Sequence, residues 1–241
     1  MQIFLAGASG AIGRRLTPLL IAAGHQVTGT TRSAEKAEAL KKQGAQPVVV
    51  DVFDAKALRE AAVVARPEVV IHQLTDLPQV FDPARRGDML VRNARLRIAG
   101  TANLVAAAQA AGARRLIAQS IAFIYADGPE PHAESDPLAA AEGDDLNALT
   151  SRGVRALEDA TLKTPGIDGI VLRYGRLYGP GTWNTPNARA PLHVDAAAHA
   201  AFLAVTRGSP GIYNIAEDDG AVTVDKAREQ LGFDPGFRLA A

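Results

Sequence analysis

The chain has 241 residues, of which 47% are hydrophobic, so it is long enough to bury one substantial core. Its 26 basic and 26 acidic residues balance, which argues against bulk attraction to nucleic acid or to an anionic membrane surface. The sequence contains no cysteine, which excludes disulfides and thiolate metal sites. It also has no apolar run of membrane-spanning length and no signal-peptide pattern at its start, so we expect a cytoplasmic protein.

Predicted strands and helices alternate along the first 175 residues. The strands are predicted at residues 3–6, 26–30, 46–50, 68–71, 115–120 and 167–173. The helices are predicted from residue 11 onward and at 34–42, 55–65, 88–111 and 144–163. This strict alternation, with strands that are apolar almost throughout, predicts an α/β fold with a doubly wound parallel sheet covered on both faces.

Prolines become frequent after Gly175, and only short elements are predicted there, at residues 195–206, 211–215 and 224–231. The sequence therefore predicts a main domain over residues 1–175 and a small, shortened lobe over 176–241. We expect the two parts to be interleaved in one compact unit.

A glycine-rich turn, GASGAIG over residues 7–13, follows the first predicted strand and leads into a helix. This arrangement leaves free backbone N–H groups at a helix N-terminus, where the amides and the helix dipole both favour a diphosphate. Strand, glycine turn and helix in this order are typical of dinucleotide binding. The predicted diphosphate contacts are Gly7, Ser9, Gly10, Ala11, Ile12 and Gly13.

The end of the second strand indicates which dinucleotide is bound. NAD-binding proteins usually carry an acidic residue there for the ribose 2′-hydroxyl, whereas this chain has Arg32 followed by Ser33. Arginine presents a planar set of donors that suits a phosphate, so we expect NADP(H) to be preferred over NAD(H). The alternative is a solvated arginine at a helix entrance that Ser33 caps.

Further cofactor contacts are predicted where the third and fourth strands end. Asp51 would lie near the adenine ring, next to Val52, although Asp51 or Asp54 could equally cap the following helix. Leu74 and Thr75 would line the channel toward the nicotinamide, and Thr75 could also be only a turn residue.

In its order of motifs the chain resembles the extended short-chain dehydrogenases/reductases, in particular the NAD-dependent epimerase/dehydratase family. The matching segments are residues 7–13, 51–54, 70–75, 100–104, 172–181, 193–195 and 211–215. The resemblance implies an NAD(P)-binding Rossmann domain with a small substrate lobe, and it implies that Tyr174 lies beside the nicotinamide.

The catalytic pair of that superfamily, a tyrosine with a lysine four residues later, does not occur in this sequence. The residues four places after Tyr125, Tyr174, Tyr178 and Tyr213 are Pro129, Tyr178, Thr182 and Glu217.

The family's serine lies four residues before the tyrosine that ends the fifth-strand segment. In this sequence that tyrosine is Tyr125, so the position is Ile121, with Ser120 beside it. Neighbouring strand residues face opposite sides, so Ser120 is either a catalytic candidate with Tyr125 or a buried structural serine. Thr150, Ser151, Arg152 and Arg155 are conceivable substitutes for the missing pair.

Three functions follow from these observations. The first is an atypical NADP(H)-dependent oxidoreductase acting on a small carbonyl or alcohol, with a pocket formed by Ser120, Tyr125, Arg176 and Tyr178. The second is a non-catalytic NADP(H)-binding sensor or regulatory protein, and the third is a sugar-nucleotide epimerase, which the short lobe disfavours. No spacing suggests a metal site, and the alanine-rich faces within 88–111 and 144–163 suit either a homodimer interface or packing on the sheet.

Overall fold

Strands and helices alternate through the computed structural model, which describes residues 1–78 and 80–240. The strands are β1 (Gln2–Ala6), β2 (Gln26–Thr31), β3 (Gln46–Val49), β4 (Val69–His72), β5 (Arg115–Ile121), β6 (Asp168–Tyr174), β7 (Arg176–Tyr178), β8 (Pro191–His193) and β9 (Gly211–Ile215). The helices are α1 (Gly13–Ala22), α2 (Ala34–Lys42), α3 (Ala55–Ala65), α4 (Arg86–Arg95), α5 (Thr101–Ala110), α6 (Leu146–Leu162), α7 (Val194–Ala204) and α8 (Asp225–Leu231).

Seven strands form one parallel sheet in the order β3-β2-β1-β4-β5-β6-β9. The chain moves outward from β1 to β3 and then returns to the other side of β1 to lay down β4, β5 and β6. This reversal opens a crevice beyond the carboxyl ends of β1 and β4, which is where ligands bind in doubly wound sheets.

Both faces of the sheet are covered, as the apolar strands predict. On one face Leu16 and Leu20 of α1 pack with Leu40 of α2 and with buried alanines of α7. On the other face, side chains of α3 and α5 such as Leu58 and Leu104 form a second buried cluster. The predicted α/β fold class is confirmed.

Two predicted helices differ in detail. The first begins at Gly13 rather than at Ala11, because residues 7–12 form a turn in which the Gly10 amide donates to the Gly7 carbonyl, 3.0 Å away. The helix predicted at 88–111 spans 86–110 but consists of α4, a π-helical turn at Leu96–Gly100, and α5. Such a turn changes the direction in which the following side chains point.

The residues after Gly175 are divided between the main sheet and its border. Strand β9 pairs with β6 and extends the main sheet, and α7 packs against α1 with nearly all of its residues buried. Strands β7 and β8 form a separate two-stranded pair. No helix in the described ranges is long and apolar enough to cross a membrane.

Candidate cofactor cleft and active site

A cleft of about 820 Å³ runs across the carboxyl ends of β1, β2, β4, β5 and β6. Its volume lies in the upper part of the range usual for small-molecule sites. Within the described residues no group of three or more acidic or histidine side chains is placed to hold a metal ion.

The glycine turn forms one wall of the cleft, and two of its glycines are sterically required. Gly7 has a φ of +89°, and a Cβ there would lie 2.7 Å from the carbonyl oxygen of Gln73. A Cβ on Gly13 would lie 2.3 Å from the Gly7 oxygen. In the described part of the chain, the backbone N–H groups of Ala11 and Ile12 donate to no protein acceptor. These free amides at the start of α1 fit a diphosphate.

Basic and hydroxyl side chains surround the cleft where β2 ends. Arg14, Arg32 and Lys36 all line it, together with Ser9 and Ser33. The Arg32 side chain is 62% exposed and lies 3.6 Å from Asp76, so a phosphate could displace this loose pairing. Ser33 is also the N-cap of α2, because its Oγ accepts from the Lys36 amide. The capping role foreseen for Ser33 and the cleft position of Arg32 are thus both present.

The residues after β3 also border the cleft. Asp51 accepts a hydrogen bond from the Phe53 amide at 2.9 Å, and Asp54 is the N-cap of α3. Asp51 is exposed, and Val52 beside it is buried. Both Asp51 and Val52 line the cleft, as do Leu74 and Thr75 after β4.

Two polar side chains at the end of β4 are fully or nearly fully buried. His72 Nδ1 accepts from the Leu74 amide, so its Nε2 carries the proton and donates to Thr101 Oγ1, 2.9 Å away. Burial, aided by the charge of Arg97, lowers the pKa of His72 to about 4, which keeps the imidazole neutral at neutral pH.

Gln73, the next residue, donates through Nε2 to the Tyr174 hydroxyl. Its buried Oε1 has no hydrogen-bond partner among the described residues. Gln73 lines the cleft, and its free oxygen suits a donor on a bound ligand.

The part of the cleft near β5 and β6 is lined by Ile121, Phe123, Thr150 and Tyr174. The hydroxyl of Thr150 donates to the Leu146 carbonyl at 2.7 Å, and the hydroxyl of Tyr174 donates to the Ala197 carbonyl at 3.1 Å. Tyr174 is almost completely buried, and burial raises its pKa above the usual value. Both hydroxyl protons are therefore already committed to backbone oxygens.

The two residues that the sequence proposed as catalytic lie outside this cleft. Ser120 is buried and donates to Glu158 Oε1 at 2.7 Å, and its neighbour Ile121 faces the cleft instead, as strand alternation requires. Tyr125 lines a smaller cavity and donates to Asn214 Oδ1 at 2.6 Å. Burial raises the pKa of the Tyr125 phenol, although the nearby Arg173 opposes the shift.

The other two residues proposed for the pocket, Arg176 and Tyr178, differ in position. Arg176 lines the cleft. Tyr178 does not line it, and its hydroxyl donates to Glu217.

A family model described as NAD(P)H-binding matches residues 7–190, from the glycine turn to the segment before β8. This chain belongs to the NAD(P)H-binding family. The 3-diazoavenalumate denitrifying reductase of a Streptomyces species is 40% identical to it over 242 residues, which cover 92% of this chain and 77% of the relative. A 4-hydroxy-2-methyl-3-oxo-4-farnesyl-3,4-dihydroquinoline-1-oxide ketoreductase of Stigmatella aurantiaca is 31% identical over 128 residues, which cover 53% of this chain and 36% of that protein.

Solved structures of epimerases have the same fold. The UDP-glucose 4-epimerase of Thermotoga maritima superimposes with a TM-score of 0.79 at 18% identity, covering 99% of this chain and 94% of the epimerase. The UDP-glucose 4-epimerase of Thermus thermophilus, solved with NAD, gives 0.73 at 21% identity over 98% and 85% of the two chains. The resemblance to the epimerase/dehydratase family is confirmed at the level of fold, and the reductase relatives make this a reductase-like member of the NAD(P)H-binding family.

Several cleft residues of this NAD(P)H-binding protein were not foreseen from the sequence. Lys36 lies in the first turn of α2, four residues after Arg32, and Gln73 directly follows β4, so both positions could have been deduced from the predicted elements. Arg97 and the stacked rings of Phe81 and Trp183 could not, because no motif surrounds them.

Proposed function

We propose that this protein is an NADPH-dependent reductase whose substrate accepts a hydride without taking a proton from the protein, and that the substrate is an aryl diazonium compound. One observation carries the proposal. The described residues that line the cleft near β5 and β6 include no phenol, imidazole or ammonium group with a proton free for a reacting group, whereas reduction of a carbonyl needs a proton for the developing alkoxide.

The side chains near the expected reaction centre support this reading. Tyr174 is the one phenol among the described residues that line the cleft, and its proton is held by the Ala197 carbonyl. Thr150 is bonded to its own helix, and an aliphatic hydroxyl is a poor proton donor in any case. Ile121 occupies the strand position that faces the cleft, where the family's serine would be expected, and its side chain is apolar.

A diazonium group fits such a site because its reduction needs no proton. The bound reduced nicotinamide would supply a hydride; the C–N bond of the diazonium then breaks, a C–H bond forms, and nitrogen leaves as N₂. The relative at 40% identity is named as a denitrifying reductase of a diazo compound, which favours this substrate class over other electrophiles.

The preference for NADPH is supported by the basic side chains where β2 ends. Arg32 and Lys36 would bind the 2′-phosphate, and the amides of Ala11 and Ile12 would bind the diphosphate. The unpartnered Oε1 of Gln73 offers an acceptor farther along the cleft. These residues bind and orient the cofactor, and the apolar side chains around them exclude water.

A non-catalytic NADPH sensor is the second candidate, because the same lack of a proton donor is compatible with no turnover. A sugar-nucleotide epimerase is less well supported, since the epimerase relatives, in sequence and in structure, are at 26% identity or below, against 40% for the diazo reductase.

The test mixes the protein–NADPH complex with benzenediazonium tetrafluoroborate, and in parallel with benzaldehyde. Reactions without protein give the background rate. We expect NADPH oxidation above background with the diazonium salt, with arene formed in the amount of NADPH consumed, and no acceleration with the aldehyde. Acceleration only with the aldehyde would indicate a carbonyl reductase, and acceleration with neither would favour the sensor.

A further inference from the structure

Arg97 is a basic residue inside the cleft that neither the cofactor motifs nor the proposed chemistry uses. It lies in the π-helical turn Leu96–Gly100, is partly buried, and lines the cleft. Across residues 1–78 and 80–240, no hydrogen bond or ion pair to its guanidinium is present. Single π-helical turns inside helices are frequent at functional sites.

The carboxylate that most affects Arg97 is already occupied. Glu158 binds the Arg173 guanidinium through both oxygens, at 2.9 and 2.7 Å, and it also accepts from Ser120. Burial lowers the pKa of Arg97 to about 10, with Glu158 opposing the shift, so the group stays charged at neutral pH. His72 nearby is neutral and Glu158 is shared with Arg173, so among the described residues Arg97 has no carboxylate of its own.

Apolar and aromatic side chains accompany Arg97 in the same cleft. Phe81 and Trp183 stack with ring centroids 5.9 Å apart and an interplanar angle of 21°. Met89 and Leu90, on α4 before the π-helical turn, line the cleft as well. A flat apolar ligand would bury its faces against such side chains, and an anionic group on it would satisfy the guanidinium.

We infer that Arg97 binds the carboxylate of a planar aromatic substrate, whose ring packs against the apolar side chains of the cleft. This inference rests on the proposed function in treating the second ligand of the cleft as the substrate. It adds that the substrate is an aromatic acid and that its anionic group determines specificity.

The diphosphate of the cofactor is the competing ligand for Arg97, and the position of the residue argues against it. The diphosphate site is at the start of α1, where Arg14 and the free amides of Ala11 and Ile12 lie. Arg97 lies beside α6, because a Cβ built on Gly153 of that helix would be 3.5 Å from the Arg97 Cβ. Helix α6 also contributes Thr150 to the β5 and β6 end of the cleft.

The experiment measures binding rather than turnover, so it does not depend on diazonium reduction. The protein saturated with NADP⁺ is titrated calorimetrically with trans-cinnamate and with its uncharged amide, trans-cinnamamide. The variants are Arg97→Met, Arg97→Lys and the control Arg85→Met, which removes an exposed arginine outside the cleft. Thermal unfolding verifies that each variant is folded, and NADPH affinity is measured for each.

We expect the wild type and Arg85→Met to bind cinnamate at least about tenfold more tightly than the amide. Arg97→Met should lose this preference without a change in NADPH affinity, and Arg97→Lys should keep part of it. The inference is overturned if the wild type shows no preference, if Arg97→Met retains it, or if Arg97→Met weakens NADPH in parallel. Carboxylate selectivity without diazonium reduction would leave this inference standing and remove the proposed function.

Discussion

Glu158 of α6 and Arg173 of β6 form a doubly hydrogen-bonded ion pair in the protein interior, with N–O distances of 2.9 and 2.7 Å. Their side chains are only 6% and 3% exposed, so neither charge can be solvated if the other is removed. Ser120 donates to the same carboxylate, and Tyr125 accepts from Arg173. The pair thus holds the hydroxyls of Ser120 and Tyr125, which the sequence proposed as catalytic, in hydrogen bonds outside the cleft.

Glu158→Gln should be strongly destabilising, because it leaves the Arg173 guanidinium buried without a counter-charge. We expect a loss of about 3–5 kcal/mol in the free energy of unfolding, measured by urea denaturation. The double variant Glu158→Leu/Arg173→Met buries no charge and should lose less. A Glu158→Gln protein as stable as the wild type would show that water reaches the pair.

Ser120→Ala should reduce the free energy of unfolding by about 1 kcal/mol and Tyr125→Phe by about 2 kcal/mol, since they remove one and two hydrogen bonds of this network, respectively. Their rates of NADPH oxidation with benzenediazonium should stay within about twofold of the wild type, because neither side chain lines the cleft. Stopped-flow absorbance gives the rates. A large rate loss in either variant, with the fold intact, would return that residue to the reaction centre.

Arg32→Ala should weaken NADPH by about tenfold or more and leave NADH almost unchanged, because only NADPH carries the 2′-phosphate. Equilibrium titration of each nucleotide gives the Kd values. Lys42→Ala is the matched control, since Lys42 is exposed at the end of α2 and outside the cleft. Equal weakening of both nucleotides by Arg32→Ala would contradict the proposed phosphate contact.

Stability should depend on His72 at mildly acidic pH. The native pKa of about 4 lies below the ordinary value of 6.5, so between these values the unfolded state binds a proton that the native state does not. The contribution is fully present above about pH 6.5 and is lost as the pH falls toward 4, by about 3 kcal/mol in total. Urea unfolding at several pH values should show a weaker pH dependence for His72→Gln than for the wild type. Parallel curves for the two proteins would rule out this role.

Local patterns were enough to predict the fold and the glycine turn that leaves backbone amides free at one end of the cleft. The apolar strands required cover on both faces, and the spacing of Gly7, Gly10 and Gly13 left backbone amides free at a helix start. Strand alternation also identified Ile121 as the neighbour of Ser120 that would occupy the other face. Each of these inferences depends on residues close together in the chain.

The end of the cleft near β5 and β6 could not be predicted in the same way. Arg97 reaches the cleft because a π-helical turn interrupts the predicted helix, and a periodicity of 3.6 residues does not reveal such a turn. The hydroxyls of Ser120 and Tyr125 donate to Glu158 and Asn214 outside the cleft. These acceptors are 38 and 89 residues distant in sequence from their donors. Partners so far apart become neighbours only after the sheet has formed.

Strand β9 has a consequence for how this protein is made. It pairs with β6 although 36 residues separate the end of β6 at Tyr174 from the start of β9 at Gly211. Until the residues of β9 have left the ribosome, β6 is therefore an open edge with unpaired amides and carbonyls. A chain truncated near Gly175 would tend to aggregate through that edge, whereas the outer edge of β9 is partly occupied by side chains, because Glu134 accepts from the Asn214 amide and Lys226 donates to the Ile212 carbonyl.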